Sequence, residues 1–380
     1  MLTDARRHTG PATSGGRRSV APAAFDAAAA LAAVVIAVLC TVSGLHTGWK
    51  HTDTDELVYR RTLVAMQHGQ GFYDAQRAAL VAKEHEPPTS VRAVRPPTLY
   101  LVLSLLPARS WRWLVGLVYG ADLLLAWRLA RAYGSLGGLV AVLASGLWLY
   151  GDSSFLFLHA EVWGLPFALG GMLLLRRRQV WAAAGAILVA ACIRELYAAG
   201  LVFAAVAEAS GPLWALWGGG WDQRAAMRRV ARALGPWLVA GALAVGLYGV
   251  HTVLAARVLS THGYNARFGN ERRSLAFLLR LVSPIVSTPG AAFGIVASSL
   301  GLVGAARAAR RDPAAVVGGG LGGFLLAAAV WATRAYWSAC WAIPLTVLAP
   351  AAWGMGVTRP APEPVSRRRL RAPGRERPCP

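Results

Sequence analysis

The residues of this chain best suited to chemistry open a polar stretch between two apolar runs, HTDTDELVYRRTLVAMQHGQGFYDA at residues 51–75. Two acids are adjacent there, Asp55 and Glu56, and six of the chain's 18 acids fall between Gly48 and Arg95. A helix beginning at this point puts Asp55 and Tyr59, four apart, on one face with Glu56 beside it. Asp55 then lies in the first turn, where the positive helix end favours the carboxylate. A carboxylate kept ionised beside an apolar interface can serve as a general base or hold a divalent cation. The same acids, Asp53, Asp55 and Glu56, can equally do no more than cap a helix.

Four further groups follow at long intervals. GDSSFLFLHAE (151–161) offers Asp152, His159 and Glu161. Gly-Asp-Ser-Ser is also an ordinary turn, and His159 with Glu161 fits a helix cap as well as a tuned acid–imidazole pair. CIRELYAAG sets Arg194-Glu195 in an apolar stretch, where ionisable groups are costly unless paired or functional. The guanidinium fork of Arg194 suits phosphate oxygens; alternatively the pair only fixes helix packing. His262, Tyr264, Asn265 and Arg267, and Arg334 with Tyr336, suit phosphate or acceptor contact, or anchor the chain at a membrane interface. Asp122 and Glu208 fit ion pairs with neighbouring helices or span ends better than chemistry.

The elements that must position these groups are membrane helices. The chain is 56% hydrophobic. Ala27 to Leu45 carries no charge over a length giving roughly 28 Å of helix, close to the ~30 Å hydrocarbon core. Such runs recur along nearly the whole chain, without the alternation of a β-barrel, so the fold class is all-α and polytopic. The net charge of +21 resides in short arginine blocks: Arg176 to Arg178, Arg224 to Arg232, Arg307 to Arg311, and the tail from Arg359 to Arg377. That is the positive-inside pattern, and it points to topology and anionic lipid rather than nucleic acid. Cys40, Cys192, Cys340 and Cys379 have neither metal-type spacing nor obvious disulfide partners.

Residues 1–24 read as a disordered basic cytoplasmic arm, 25–357 as the membrane domain, and 358–380 as a basic cytoplasmic tail. The first span (about 25–47) is too long for a signal-peptide core and should stay as an anchor. It delivers residues 48–95 to the outer face, where two short helices are expected. One begins near Asp53 and stops at Gly69-Gln70-Gly71, with Leu57, Val58, Val64 and Ala65 forming a stripe for the membrane surface. The other runs from a cap at Asp74 to Glu86, before Pro87-Pro88. Pro96 to Pro107 is too short to cross comfortably. Spans follow near 113–130, 137–150, 161–175, 180–192, 196–208, 234–256, 276–303, 314–332 and 335–356, about ten or eleven passes in all. If Pro96 to Pro107 does not cross, every arginine block lands inside and the candidate polar groups share the outer face.

The order of features after the first span resembles the GT-C superfamily of glycosyltransferases, which includes protein O-mannosyltransferases and aminoarabinose transferases. The matching residues are Asp55, Glu56, Tyr59, Gly69, Gly71, Tyr73, Asp74 and Pro96-Pro97-Thr98-Leu99-Tyr100, about 50 residues of detailed match. The resemblance implies a polyprenyl-phosphate sugar donor and an envelope glycan, lipid or protein acceptor. It gives Asp55 the role of base toward the acceptor hydroxyl or of metal ligand, with Glu56 as its neighbour. A second acid would come from Glu161 or Asp152, and a divalent cation, Mg or Mn, would lie between Asp55 and Glu161. Arg194 and Arg334 would meet the donor phosphate, supported by Tyr59, His159, Glu195 and Tyr264. The competing expectation is a transporter or flippase of a lipid-linked intermediate, which calls for broken helices or inverted repeats with mid-membrane charges.

Overall fold

The computed structural model describes residues 20–47, 55–132, 134–152, 160–217, 223–263 and 312–331, together with 303, 306 and 309. These residues are mostly helical and include no β-strand. The first helix, α1 (Val20–Thr47), precedes three short ones: α2 (Asp55–Gln67), α3 (Phe72–Glu84) and α4 (Thr98–Ser104). Longer helices follow as α5 (Ala108–Arg131), α6 (Ser135–Asp152), α7 (Ala160–Arg176), α8 (Val180–Ile193), α9 (Ala198–Trp217), α10 (Gln223–Ala256) and α11 (Pro313–Trp331).

Within α1, α5 and α10 lie three stretches long and apolar enough to cross a bilayer: Pro22–Val42, Ala108–Arg131 and Gln223–Ala256. Their outward faces are apolar. On α1, Leu31, Val34 and Val38 are exposed while the small residues Ala29, Ala33 and Cys40 are buried; on α10, Leu238 and Val245 are exposed. Small residues inward and large apolar ones outward suit lipid, because apolar side chains gain little by leaving it and close packing holds the helices together. An exposed apolar surface of this kind is not what a protein in water presents. The chain is therefore described as a membrane protein.

Packing assembles α1 against α5 and α6, α7 against α5 and α8, and α9 against α10 and α11. One end of this bundle is tied by cation–carboxylate contacts. Arg131 at the end of α5 meets Asp26 of α1 at 2.6 Å, and Arg176 at the end of α7 meets Asp312, just before α11, at 2.5 Å. Arg178 and Glu208 lie 3.3 Å apart, so Glu208 is an ion-pair partner as expected. The 17 residues of α7 separate this end from the opposite one by about 24 Å.

Several boundaries differ from the sequence expectation. The helix of α1 already runs from Val20, since its alanines favour helix and Pro22 is tolerated in a first turn. The α3 helix starts at Phe72, with Gly71 as its N-cap and Asp74 within its first turn, and it ends at Glu84 with His85 in the left-handed region. Gly69 at φ +87° ends α2 as expected. The α2 stripe is different. Val58, Tyr59, Thr62 and Leu63 are buried, whereas Val64 is 39% exposed, because α2 packs on α3 and α4: Val58 joins Ala79 and Leu80 of α3, and Tyr59 meets Tyr100 of α4. Residues 96–107 hold only the seven-residue α4. The α10 helix begins at Gln223, so its arginine-bearing turns are continuous with the apolar part. The expected span 276–303, but for residue 303, the span 335–356 and the tail 358–380 lie outside the described residues.

Candidate functional site

At the end of the bundle opposite those ion pairs, α8 stops at Ile193 and the chain turns through one residue of extended backbone, Arg194, with φ −145° and ψ 115°. Its N–H still donates to the Ala190 carbonyl at 2.8 Å, and its own carbonyl accepts from Tyr197 at 3.0 Å. A single 3-10 turn, Glu195–Tyr197, then leads into α9. The corner is as the sequence suggested. The direction of the side chain is not legible there: Arg194 is only 1% exposed and is the largest wholly buried side chain described.

Two carboxylates flank the guanidinium. Arg194 Nε lies 2.7 Å from Glu161 Oε1, in the first turn of α7, and Nη1 donates to Glu195 Oε1 at 2.7 Å. The Nε–Glu161 approach is an ion pair, and among the described residues Nε has no hydrogen-bond partner. Taking a guanidinium out of water costs several kcal/mol, and the two acids offset that cost. Burial pulls the Arg194 pKa down, but Glu161 and then Glu195 outweigh it, so the net shift is upward and the group stays charged. Tyr197 locks the arrangement by donating to the Glu161 carbonyl at 2.6 Å. A Cβ on Gly164 would come within 2.6 Å of the Tyr197 ring, so only glycine lets the ring lie there undisturbed.

The first loop reaches the same cluster. Arg95 and Tyr59 both act electrostatically on Arg194, and Arg95 Nε donates to the Tyr59 hydroxyl at 3.1 Å. The Arg95 amide donates to Gln76 Oε1 at 2.9 Å. Tyr59 packs edge-on against Tyr100, whose ring also meets Phe72. Tyr73 stacks on His251 of α10, with its hydroxyl 3.2 Å from Nδ1, and burial pushes its phenol pKa up. Arg95, Gln76 and His251 were not among the expected site residues. The position of Arg95 directly ahead of Pro96-Pro97 is the one sequence signal that marks it.

Of the expected residues, Glu161, Arg194, Glu195 and Tyr59 therefore come together. Glu56, 6% exposed, sits one turn ahead of Tyr59 on α2. Asp55 is the first residue of α2 and Asp152 the last of α6, but their side chains lie outside what is described, as do His159, Tyr264 and Arg334 altogether. Asp122 departs from expectation. It is wholly buried in α5, and among the described residues neither carboxylate oxygen has a hydrogen-bond partner; it acts electrostatically on Tyr197.

Of the two carboxylates expected to hold a divalent cation, the Glu161 side chain is described and that of Asp55 is not. Glu161 is engaged by a buried guanidinium, and a dication on the same carboxylate would sit beside that positive charge. Among the described residues, no group of three or more His, Cys, Asp or Glu side chains is arranged to hold a metal ion. No family model, curated protein or solved structure matches the chain.

Proposed function

We propose that the chain is an integral-membrane glycosyltransferase of GT-C type. It moves a sugar from a polyprenyl-phosphate donor to a cell-envelope acceptor on the extracytoplasmic face. The observation that carries this proposal is the buried Arg194, held between Glu161 and Glu195 with Arg95 and Tyr59 of the first loop in its field. Segments far apart in sequence thus contribute charge to one place, at the end of the bundle away from the arginine blocks. By the positive-inside rule the arginine-rich end faces the cytoplasm, which puts α2 and the cluster outside.

In the reaction, Asp55 takes the acceptor's hydroxyl proton while that oxygen attacks the anomeric carbon. The bond from the anomeric carbon to the donor phosphate oxygen breaks, and polyprenyl phosphate leaves with the electron pair. Arg95 and Arg334 meet the leaving phosphate, and Arg194, its charge taken up by Glu161 and Glu195, fixes the α7 and α8–α9 junctions behind them. Glu56 and Tyr59 position the start of α2, and Glu161 and Glu195 hold Arg194. No step is assigned to a metal.

The experiment supplies membranes containing the full chain with a panel of labelled polyprenyl-phosphate sugars. Label recovered in a glycan, glycolipid or protein supports the transferase. Label that only changes leaflet, still attached to its lipid, supports the flippase and overturns the proposal. No transfer with any donor overturns it as well.

A further inference from the structure

The arginine-bearing end of the bundle carries a second site that the transfer reaction does not use. An open groove of about 760 Å³ lies between the C-terminal turns of α5 and α7 and the start of α6, walled by Trp127, Arg128, Arg131, Ser135, Arg176 and Arg177. Four guanidinium groups thus line one cavity. Two have carboxylate partners, Arg131 with Asp26 and Arg176 with Asp312. Arg128 and Arg177 are exposed and form no ion pair among the described residues. Among the described residues the groove keeps a surplus of two positive charges, one from α5 and one from the turn that follows α7.

The walls are built rather than accidental. Arg131 lies 5.3 Å above the Trp127 ring, and a Cβ on Gly138 would come within 2.7 Å of that ring, so the indole rests against α6. The carbonyl ends of α5 and α7 would repel an anion, but Arg176 covers one of them by donating to Leu129 O at 2.8 Å. The start of α6 adds the favourable end of a helix dipole. A phosphate bridging Arg128 and Arg177 would join α5 to α7 by charge-assisted hydrogen bonds.

The same face of α5 tells a lipid from a free anion. Leu117, Leu124, Arg128 and Arg131 succeed one another at spacings of seven, four and three, which places them along one side of the helix. Leu117 is 69% and Leu124 41% exposed. An apolar stripe ending in guanidinium groups matches an acyl chain capped by an anionic headgroup. We infer that this groove seats the phosphate of an anionic membrane lipid, with its acyl chain along Leu117 and Leu124. The site stands whether or not sugar transfer is the reaction at the other end.

The test uses the full chain in neutral detergent, with lipid retention read by native mass spectrometry. Phosphatidylglycerol, phosphatidylcholine and inorganic phosphate are the probes. Phosphatidylglycerol should be retained over phosphatidylcholine, and Arg128→Ala/Arg177→Ala should weaken it on the order of tenfold. Arg128→Lys/Arg177→Lys should retain most of the binding. Because the chain is basic throughout, Arg228→Ala/Arg232→Ala on α10 serves as the comparison and should change retention less than about twofold. Equal retention of the two lipids, an equal loss in the α10 pair, or no loss in Arg128→Ala/Arg177→Ala overturns the inference. So does displacement by inorganic phosphate at equal concentration, which identifies a free-anion site instead.

Discussion

Among the described side chains Arg194 is the one whose removal should cost most. Deleting one member of a buried ion pair leaves the rest uncompensated, typically at about 3–5 kcal/mol. Arg194→Ala leaves Glu161 and Glu195 facing each other without the guanidinium between them. Its thermal unfolding midpoint in detergent should fall well below that of the wild type; an unchanged midpoint would mean that the guanidinium is not holding the α7 and α8–α9 junctions together. Asp122 predicts the opposite. It is buried without a hydrogen-bond partner among the described residues, so replacing it by an apolar residue relieves a desolvation cost of about 1–3 kcal/mol. Asp122→Leu should unfold at or above the wild-type midpoint, and a large fall would show that the carboxylate has a structural partner. Both residues stand out in the sequence as charges in apolar surroundings, yet only the structure separates the paired one from the solitary one, because pairing depends on contacts across 33 residues of sequence, from Glu161 to Arg194.

At the scale of elements, what was legible followed from local chemistry. The Gly69-Gln70-Gly71 stop, the corner at Arg194-Glu195 and the brevity of residues 96–107 all rest on backbone preferences or charge that act within a turn or two. The buried face of α2 was not legible. The stripe expected from Leu57, Val58, Val64 and Ala65 is split in the fold: Val58 is buried together with Tyr59, Thr62 and Leu63, and Val64 is exposed. In a membrane protein apolarity does not say which face meets protein, since lipid accepts either. The contacts of Val58 with α3 and of Tyr59 with Tyr100 decide it. The Gly164–Tyr197 contact is a second long-range feature, and it is testable. Gly164→Val places bulk where a Cβ already comes within 2.6 Å of the ring, and overpacking of this kind costs about 1–3 kcal/mol. The variant should unfold earlier than the wild type, and pairing it with Tyr197→Ala should recover part of the loss. Additive losses in the double variant would show that the two positions do not press on each other.

For the whole molecule, the two ends of the bundle carry different chemistry. One end gathers arginines in ion pairs and a basic groove; the other gathers acids around a buried guanidinium together with the first loop. On the proposed topology a cysteine introduced at position 55, in a background without the four native cysteines, should react with a membrane-impermeant thiol reagent in right-side-out vesicles and not in inverted ones. The reverse pattern would put α2 on the cytoplasmic side. The most direct measurement is the rate of sugar transfer from polyprenyl phosphate by purified Asp55→Ala beside the wild type, with the unfolding midpoint recorded for both. Loss of a general base should lower the rate by about 10²–10⁴-fold while the midpoint stays close to wild type. A folded Asp55→Ala that transfers sugar at the wild-type rate would contradict the account.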